Sequence, residues 1–313
     1  MRTNAPMGDK YFQKERAMRK YLEEFMAECE YPCDAARELL AAFDKLNSAC
    51  RDDFFALVSE YEHSYDVDYL AALDSIRELS YRADIHEYTG ALLLFLCYTR
   101  ALRRYYREAH ISDSIFLDSM LDLRYKLDEC LCVYGIAGSF VAKWFAGFFK
   151  LERFALGRLQ FEIIPFGAEY DIAGIHLTPE TKVINVHIPR TGERLDHGRV
   201  LASYAMARDF YRPMLGDNVA FVCTSWLLFP RHREILNDGS NLLLFMNDYE
   251  IISSGEYNGY GEVWRLFDRM YDGDVDHLPM DSSLRRAYAE LIRNGEKTGW
   301  GRGLLILEKD KPR

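Results

Sequence analysis

Residues 1–150 predict an all-helical domain, and residues 151–313 a second domain in which strands and helices share one core. Three observations carry this division. In the first half, apolar residues recur at three-to-four spacing. Gly135 and Gly138 then break the helical pattern, and a short aromatic helix follows at Trp144, Phe145, Phe148 and Phe149. From Gly157 onward, short apolar runs alternate with turns and a few helices, the texture of an α/β or α+β domain. A chain of 313 residues, 49% hydrophobic and 28% charged, suits a globular protein of about two domains.

Each element has its own signal. Asp34 is a plausible cap for a helix whose inner stripe is Leu39, Phe43, Leu46 and Cys50. Asp68–Ser80 and Asp84–His110 also predict helices. The second carries Arg100, Arg103, Arg104 and Arg107, either an anion-holding cluster or a solvated face paired with nearby carboxylates. Phe116, Met120, Leu123, Leu127, Leu131 and Tyr134 form a further stripe opposite Asp118, Asp122, Lys126 and Glu129. Strands are predicted over 158–164, 172–177, 182–188, 219–225, 249–253 and 304–308. A helix follows Asp196, with Val200, Leu201, Tyr204, Ala207 and Tyr211 inward and Pro213 just past its end. Another follows Ser282, with Leu284, Tyr288, Leu291 and Ile292 inward, closed by Asn294 and Gly295.

The formal net charge of −10 argues against nucleic acid and anionic membranes as partners, since both need a cationic surface. The most apolar run, Ala91–Tyr98, falls far short of the ~20 residues of a membrane span, and no signal peptide follows Arg2. Seven cysteines without a C-x-x-C, and eight histidines without a metal-binding pair, point to reduced thiols, no metal and a cytoplasmic location.

Chemistry concentrates in Val183-Ile184-Asn185-Val186-His187-Ile188-Pro189 and the loop Arg190-Thr191-Gly192-Glu193-Arg194-Leu195 that leads to Asp196. A strand, a glycine-containing loop and a helix start form one kind of phosphate site, and Arg190 and Arg194 would add charge. A plain strand-to-helix connection is the alternative. The two-residue strand period puts Gln160 with Glu162, Asn185 with His187, and Cys223 with Ser225. These polar groups suggest a shared cleft at the strands' carboxyl ends, with His187 beside Glu162 as a general base. A satisfied buried pair, or one solvated sheet face, would give the same pattern. Cys223-Thr224-Ser225 lacks a nucleophile elbow. Gly299-Trp300-Gly301-Arg302-Gly303 predicts a turn with positive-φ glycines, and Ser253–Gly261 either a substrate lid or a long loop.

Several motifs carry a family resemblance: Leu156-Gly157-Arg158-Leu159-Gln160-Phe161-Glu162, His187-Ile188-Pro189, Cys223-Thr224-Ser225-Trp226-Leu227-Leu228 and Ser240-Asn241-Leu242. Leu278-Pro279, Ser283-Leu284-Arg285-Arg286-Ala287 and the Gly299–Gly303 segment belong to the same set. The chain resembles bacterial acyltransferase domain-containing proteins, in which a helical N-acyltransferase N-terminal domain precedes a GNAT-like C-terminal domain. The resemblance implies an α+β fold, with a GNAT-like mixed β-sheet flanked by helices over 151–313. It implies a donor, acetyl-CoA or another acyl-CoA, held where the central strand splays from its neighbour. Ile188, Arg190, Thr191, Gly192, Arg194 and His197 would hold the cofactor, although this loop lacks the family's second glycine. It implies direct acyl transfer to an amine of a small molecule or peptide, with Glu162 or His187 as base and Ser225 or Tyr249 as acid. Two other readings stand beside it: an inactive GNAT-derived module that senses acyl-CoA or another ligand or serves as an assembly partner, and covalent transfer through Cys223.

Overall fold

The computed structural model describes residues 7–172, 174–216 and 219–307, with side chains from residue 13. The chain divides into two compact units, 1–151 and 152–313.

The first unit is built from α1 (Met7–Glu28), α2 (Cys33–His63), α3 (Tyr69–Arg82), α4 (Glu87–Glu108), α5 (Asp113–Tyr134) and the single turn α6 (Ala146–Phe149). Asp68 caps α3 by accepting from the Leu70 and Ala71 N–H groups, and Ser112 caps α5 through Ile115 N–H. Asp34 does not cap α2. Pro32 holds that position with φ −55, and Asp34 lies in the first turn. The core is aromatic, with Tyr61 stacked on Tyr98 at 4.3 Å and Phe149 packed edge-on against Phe95.

Two expectations for α5 are overturned. Asp122 and Glu129 are buried, because Trp144 donates to Asp122 at 2.9 Å and Lys126 pairs with Glu129 at 2.8 Å, while Tyr134 is exposed. The α4 arginines pair as a charged face would. Arg103 bridges Glu28 and Asp113, Arg107 reaches Asp113, and Arg104 donates to the Glu62 carbonyl.

The second unit holds a six-stranded sheet made of β1 (Arg153–Leu156), β2 (Leu159–Pro165), β5 (Lys182–His187), β6 (Val219–Ser225), β8 (Gly299–Leu307) and β7 (Glu250–Glu256), in that spatial order. All neighbours are antiparallel except β5 and β6, which run parallel. A parallel pair requires a crossover, supplied by α7 (His197–Leu215). Shorter helices α8 (His232–Ile235), α9 (Asn241–Asn247) and α10 (Trp264–Phe267) precede α11 (Ser283–Arg293), which Ser282 caps through Arg285 N–H.

The predicted strand at 172–177 is instead a hairpin of β3 (Tyr170–Ile172) and β4 (Ile175–Leu177), turning at Gly174 with φ +76. Its Ala173 and the predicted strand end at Glu308 lie outside the described residues. Pro213 sits inside the last turn of α7, which continues to Leu215 and stops at Gly216 with φ +79. Burial along α7 follows Val200, Ser203, Tyr204, Ala207 and Tyr211, with Leu201 only half-buried.

The segment Gly299–Gly303 is a strand, and these glycines are not in the left-handed region. Their period of two has a packing cause. A methyl group at Gly301 would lie 2.1 Å from the Leu228 carbonyl oxygen, and one at Gly303 would lie 2.6 Å from Tyr249 Cβ. The chain after β6 and the Tyr249 ring therefore rest directly on the β8 backbone. Gly301→Ala is expected to destabilise the protein by about 1–3 kcal/mol in urea unfolding. An unchanged midpoint would contradict this contact.

Candidate active site

Register decides which side chains meet. Glu162 pairs with Asn185 and Gln160 with His187 across β2 and β5, so all four project from one sheet face. Arg153 joins them from β1, where it is opposite Glu162. Further along the same face, Val183, Val222, Ala220 and Leu304 form an apolar cluster with Phe166 and Leu177. The face is therefore dry at one end and polar at the other.

Glu162 is the centre of the polar end. Its Oε2 accepts from Arg153 Nε at 3.0 Å and from the Arg153 guanidinium NH2 at 2.7 Å. Its Oε1 accepts from Asn185 Nδ2 at 3.0 Å and from His187 Nε2 at 2.7 Å. Burial alone would raise this carboxyl's pKa. The His187 hydrogen bond and charge, the Arg153 charge and the Asn185 hydrogen bond outweigh burial and hold it at about 2. A carboxylate held this firmly is a weak base, and its contact with Nε2 orients the imidazole. Where the ring is neutral and Nε2–H is donated to the carboxylate, the lone pair lies on Nδ1.

β5 and β6 share register only at Ile184–Phe221 and Asn185–Val222. Beyond those pairs β5 runs on to His187, still matched to β2, and β6 runs on to Ser225, still matched to β8. The β5–β6 register thus ends before His187, while both strands keep their outer neighbours. The loop after β5 opens here. Arg158, on the β1–β2 turn, braces it by donating to the Pro189 carbonyl at 3.0 Å. Asp196 caps α7 through Arg199 N–H, and His197 Nε2 lies 3.0 Å from Asp248 Oδ1. Thr191 Oγ1 accepts from Glu193 N–H, Gly192 has φ +79, Arg194 is exposed, Ile188 is half-buried, and Arg190 is 2.6 Å from Asp268.

The structure does not bring Tyr249 or Ser225 to this cluster. Cys223 and Ser225 alternate with Val222 and Thr224, and so face the opposite side of the sheet. There Ser225 accepts from Leu227 N–H, and the buried Tyr249 hydroxyl lies 2.9 Å from that of Tyr204 on α7. Burial pushes Tyr249 well above its ordinary value and raises the Cys223 thiol, which disfavours the thiolate that covalent transfer would need. The shared cleft at the strands' carboxyl ends also fails, because β2 is antiparallel to β5. Register, not strand polarity, joins Glu162 to His187. Among the described residues no group of three His, Cys, Asp or Glu is placed to hold a metal.

Arg153 and Arg158 are not among the site residues expected from sequence. For Arg158 the signal is Leu156-Gly157-Arg158-Leu159, a two-residue turn between apolar runs with Gly157 at φ +72.

Because the Glu162 pKa is depressed in the folded state, its stabilisation is present above the ordinary value of 4.5 and is lost as pH falls toward about 2. Glu162→Gln is expected to cost about 2–3 kcal/mol near neutrality, with the difference from wild type shrinking as pH drops through that window. A pH-independent difference in urea midpoints would contradict this.

Two family models match the chain: the N-acyltransferase N-terminal domain over residues 20–151, and the GNAT-like C-terminal domain over 154–305. The fold is similar to crystal structures of an acyltransferase. Its complex with CoA and 10C-teicoplanin gives a TM-score of 0.71 at 21% identity, covering 91% of this chain and 87% of that one. The complex with decanoyl-CoA and teicoplanin gives 0.68 at 20%, covering 91% and 87%. A mutant in complex with octanoyl-CoA gives 0.69 at 20%, covering 92% and 88%. No curated protein gives a significant match. Among the described residues no helix is long and apolar enough to cross a membrane. The chain belongs to the acyltransferases that join an N-acyltransferase N-terminal domain to a GNAT-like C-terminal domain.

Proposed function

We propose that the protein transfers an acyl group from acyl-CoA directly to an amine of a small molecule or peptide. The observation that carries this is the end of the β5–β6 register at Asn185 and Val222, beside the His187–Glu162 pair, which would let the two strands part there to admit a donor. The donor's pantetheine arm would lie in that opening, with its phosphates toward Arg190–His197. The fold neighbours' complexes with decanoyl-CoA, octanoyl-CoA and teicoplanin support an acyl-CoA donor, a chain longer than the acetyl group, and a small-molecule acceptor.

His187 Nδ1 would take the proton of the attacking amine, directly or through water, while Glu162 stabilises the imidazolium that forms. Arg153 and Asn185 keep Glu162 ionised and oriented. The amine nitrogen bonds to the thioester carbonyl carbon, the C–S bond breaks, and the thiolate leaves as CoA. The proton held by His187 can return to that sulfur. Strand N–H groups at the opening would polarise the carbonyl.

His187→Ala is expected to lower turnover by about 10²–10⁴-fold while changing CoA affinity by only a few fold. Full activity in this variant would remove His187 from the mechanism. Decanoyl-CoA at about 100 times its dissociation constant should stabilise the protein by about 2.7 kcal/mol in thermal unfolding. Stabilisation without turnover of any amine would favour a ligand-sensing module, and no stabilisation at all would contradict the donor assignment.

A further inference from the structure

Arg190 is already held in the loop proposed for the donor's phosphates. Its guanidinium lies 2.6 Å from Asp268 Oδ1. Asp268 closes the single turn α10 in the left-handed region, at φ +56. Its second oxygen takes Arg285 of α11 at 2.6 Å, and Arg285 also donates to the Leu266 carbonyl at 2.9 Å and pairs with Asp281 at 3.0 Å. Asp268 is thus fixed to α11 by one oxygen and to the donor loop by the other. The three side chains are 34%, 25% and 16% exposed for Arg190, Asp268 and Arg285. They are accessible to a ligand, yet screened less than a fully solvated pair.

We infer that Asp268 competes internally with the donor's phosphate for Arg190, so that donor binding unties α10 from the loop. This rests on the donor assignment above. A guanidinium fork donates to carboxylate and phosphate oxygens with similar geometry, so an arriving phosphate displaces the Asp268 oxygen. Arg285 keeps Asp268 on the α11 side. The exchange therefore moves the Arg190 side chain away and removes the tie between the loop and α10. That tie bears on a second place. Val263 and Leu266, at α10, line a narrow crevice with room for about one water together with Trp226, Tyr257, Tyr288 and Thr298. The crevice stands where β6 and β7 end and β8 begins. Loading the donor then loosens the α10 side of that crevice.

Hydrogen exchange over residues 262–268, with and without CoA or dephospho-CoA, tests this together with CoA titrations of wild type and Asp268→Asn. In wild type, CoA should speed exchange in that segment. Asp268→Asn should bind CoA more tightly, on the order of fivefold, and exchange rapidly there before any ligand is added. An equal effect of dephospho-CoA assigns the competing group to the pyrophosphate, and an effect of CoA alone assigns it to the 3′-phosphate. CoA binding that leaves wild-type exchange unchanged or slower, or an Asp268→Asn protein that binds CoA no more tightly, overturns the competition but not the donor site. Failure of the wild type to bind CoA overturns both. Should Asp268→Asn not fold, the wild-type exchange decides alone.

Discussion

Two strands that lie side by side in parallel, yet share register at only two positions, shape everything proposed for the second unit. β5 and β6 are registered at Ile184–Phe221 and Asn185–Val222, and beyond these each keeps its outer neighbour. The end of β5, with His187 and the loop behind it, therefore lies past the last registered pair, where the proposed donor would enter.

Around that end of β5 the chain uses buried polar groups as braces. Arg158 joins the β1–β2 turn to the loop through the Pro189 carbonyl, and its own N–H donates to Ser203 on α7 at 2.7 Å. A methyl group at Gly157 would lie 2.7 Å from that same Ser203 oxygen, so hairpin and helix dock closely. Glu162 braces the other side, its four short hydrogen bonds keeping the carboxylate ionised despite burial. A buried charge with this many partners orients its neighbours more than it titrates. For this reason we assign the basic role to the imidazole and not to the carboxylate.

Local rules were legible in the sequence wherever one element decides the outcome. Asp68, Asp196 and Ser282 cap the helices they precede, and the two-residue period placed Glu162, Asn185 and His187 on shared faces. What escaped depends on other elements. Asp122 and Glu129 look solvent-facing along α5 until Trp144 and Lys126 pair with them. Ser225 looks close to His187 until register sends it to the opposite face, and Tyr249 is tied instead to Tyr204. The glycines of β8 look like a turn until the Leu228 carbonyl and the Tyr249 ring are found resting on them. Register, strand order and close approach are pairwise properties that one strand's composition does not encode.

The central claim is that the gap between β5 and β6 receives the acyl-CoA. Hydrogen exchange of residues 186–188 and 223–226, compared with and without saturating decanoyl-CoA, addresses it most directly. The account predicts slower exchange on both strand ends when the donor is bound. Saturation by the donor with exchange unchanged at both ends would place the ligand elsewhere and contradict the account.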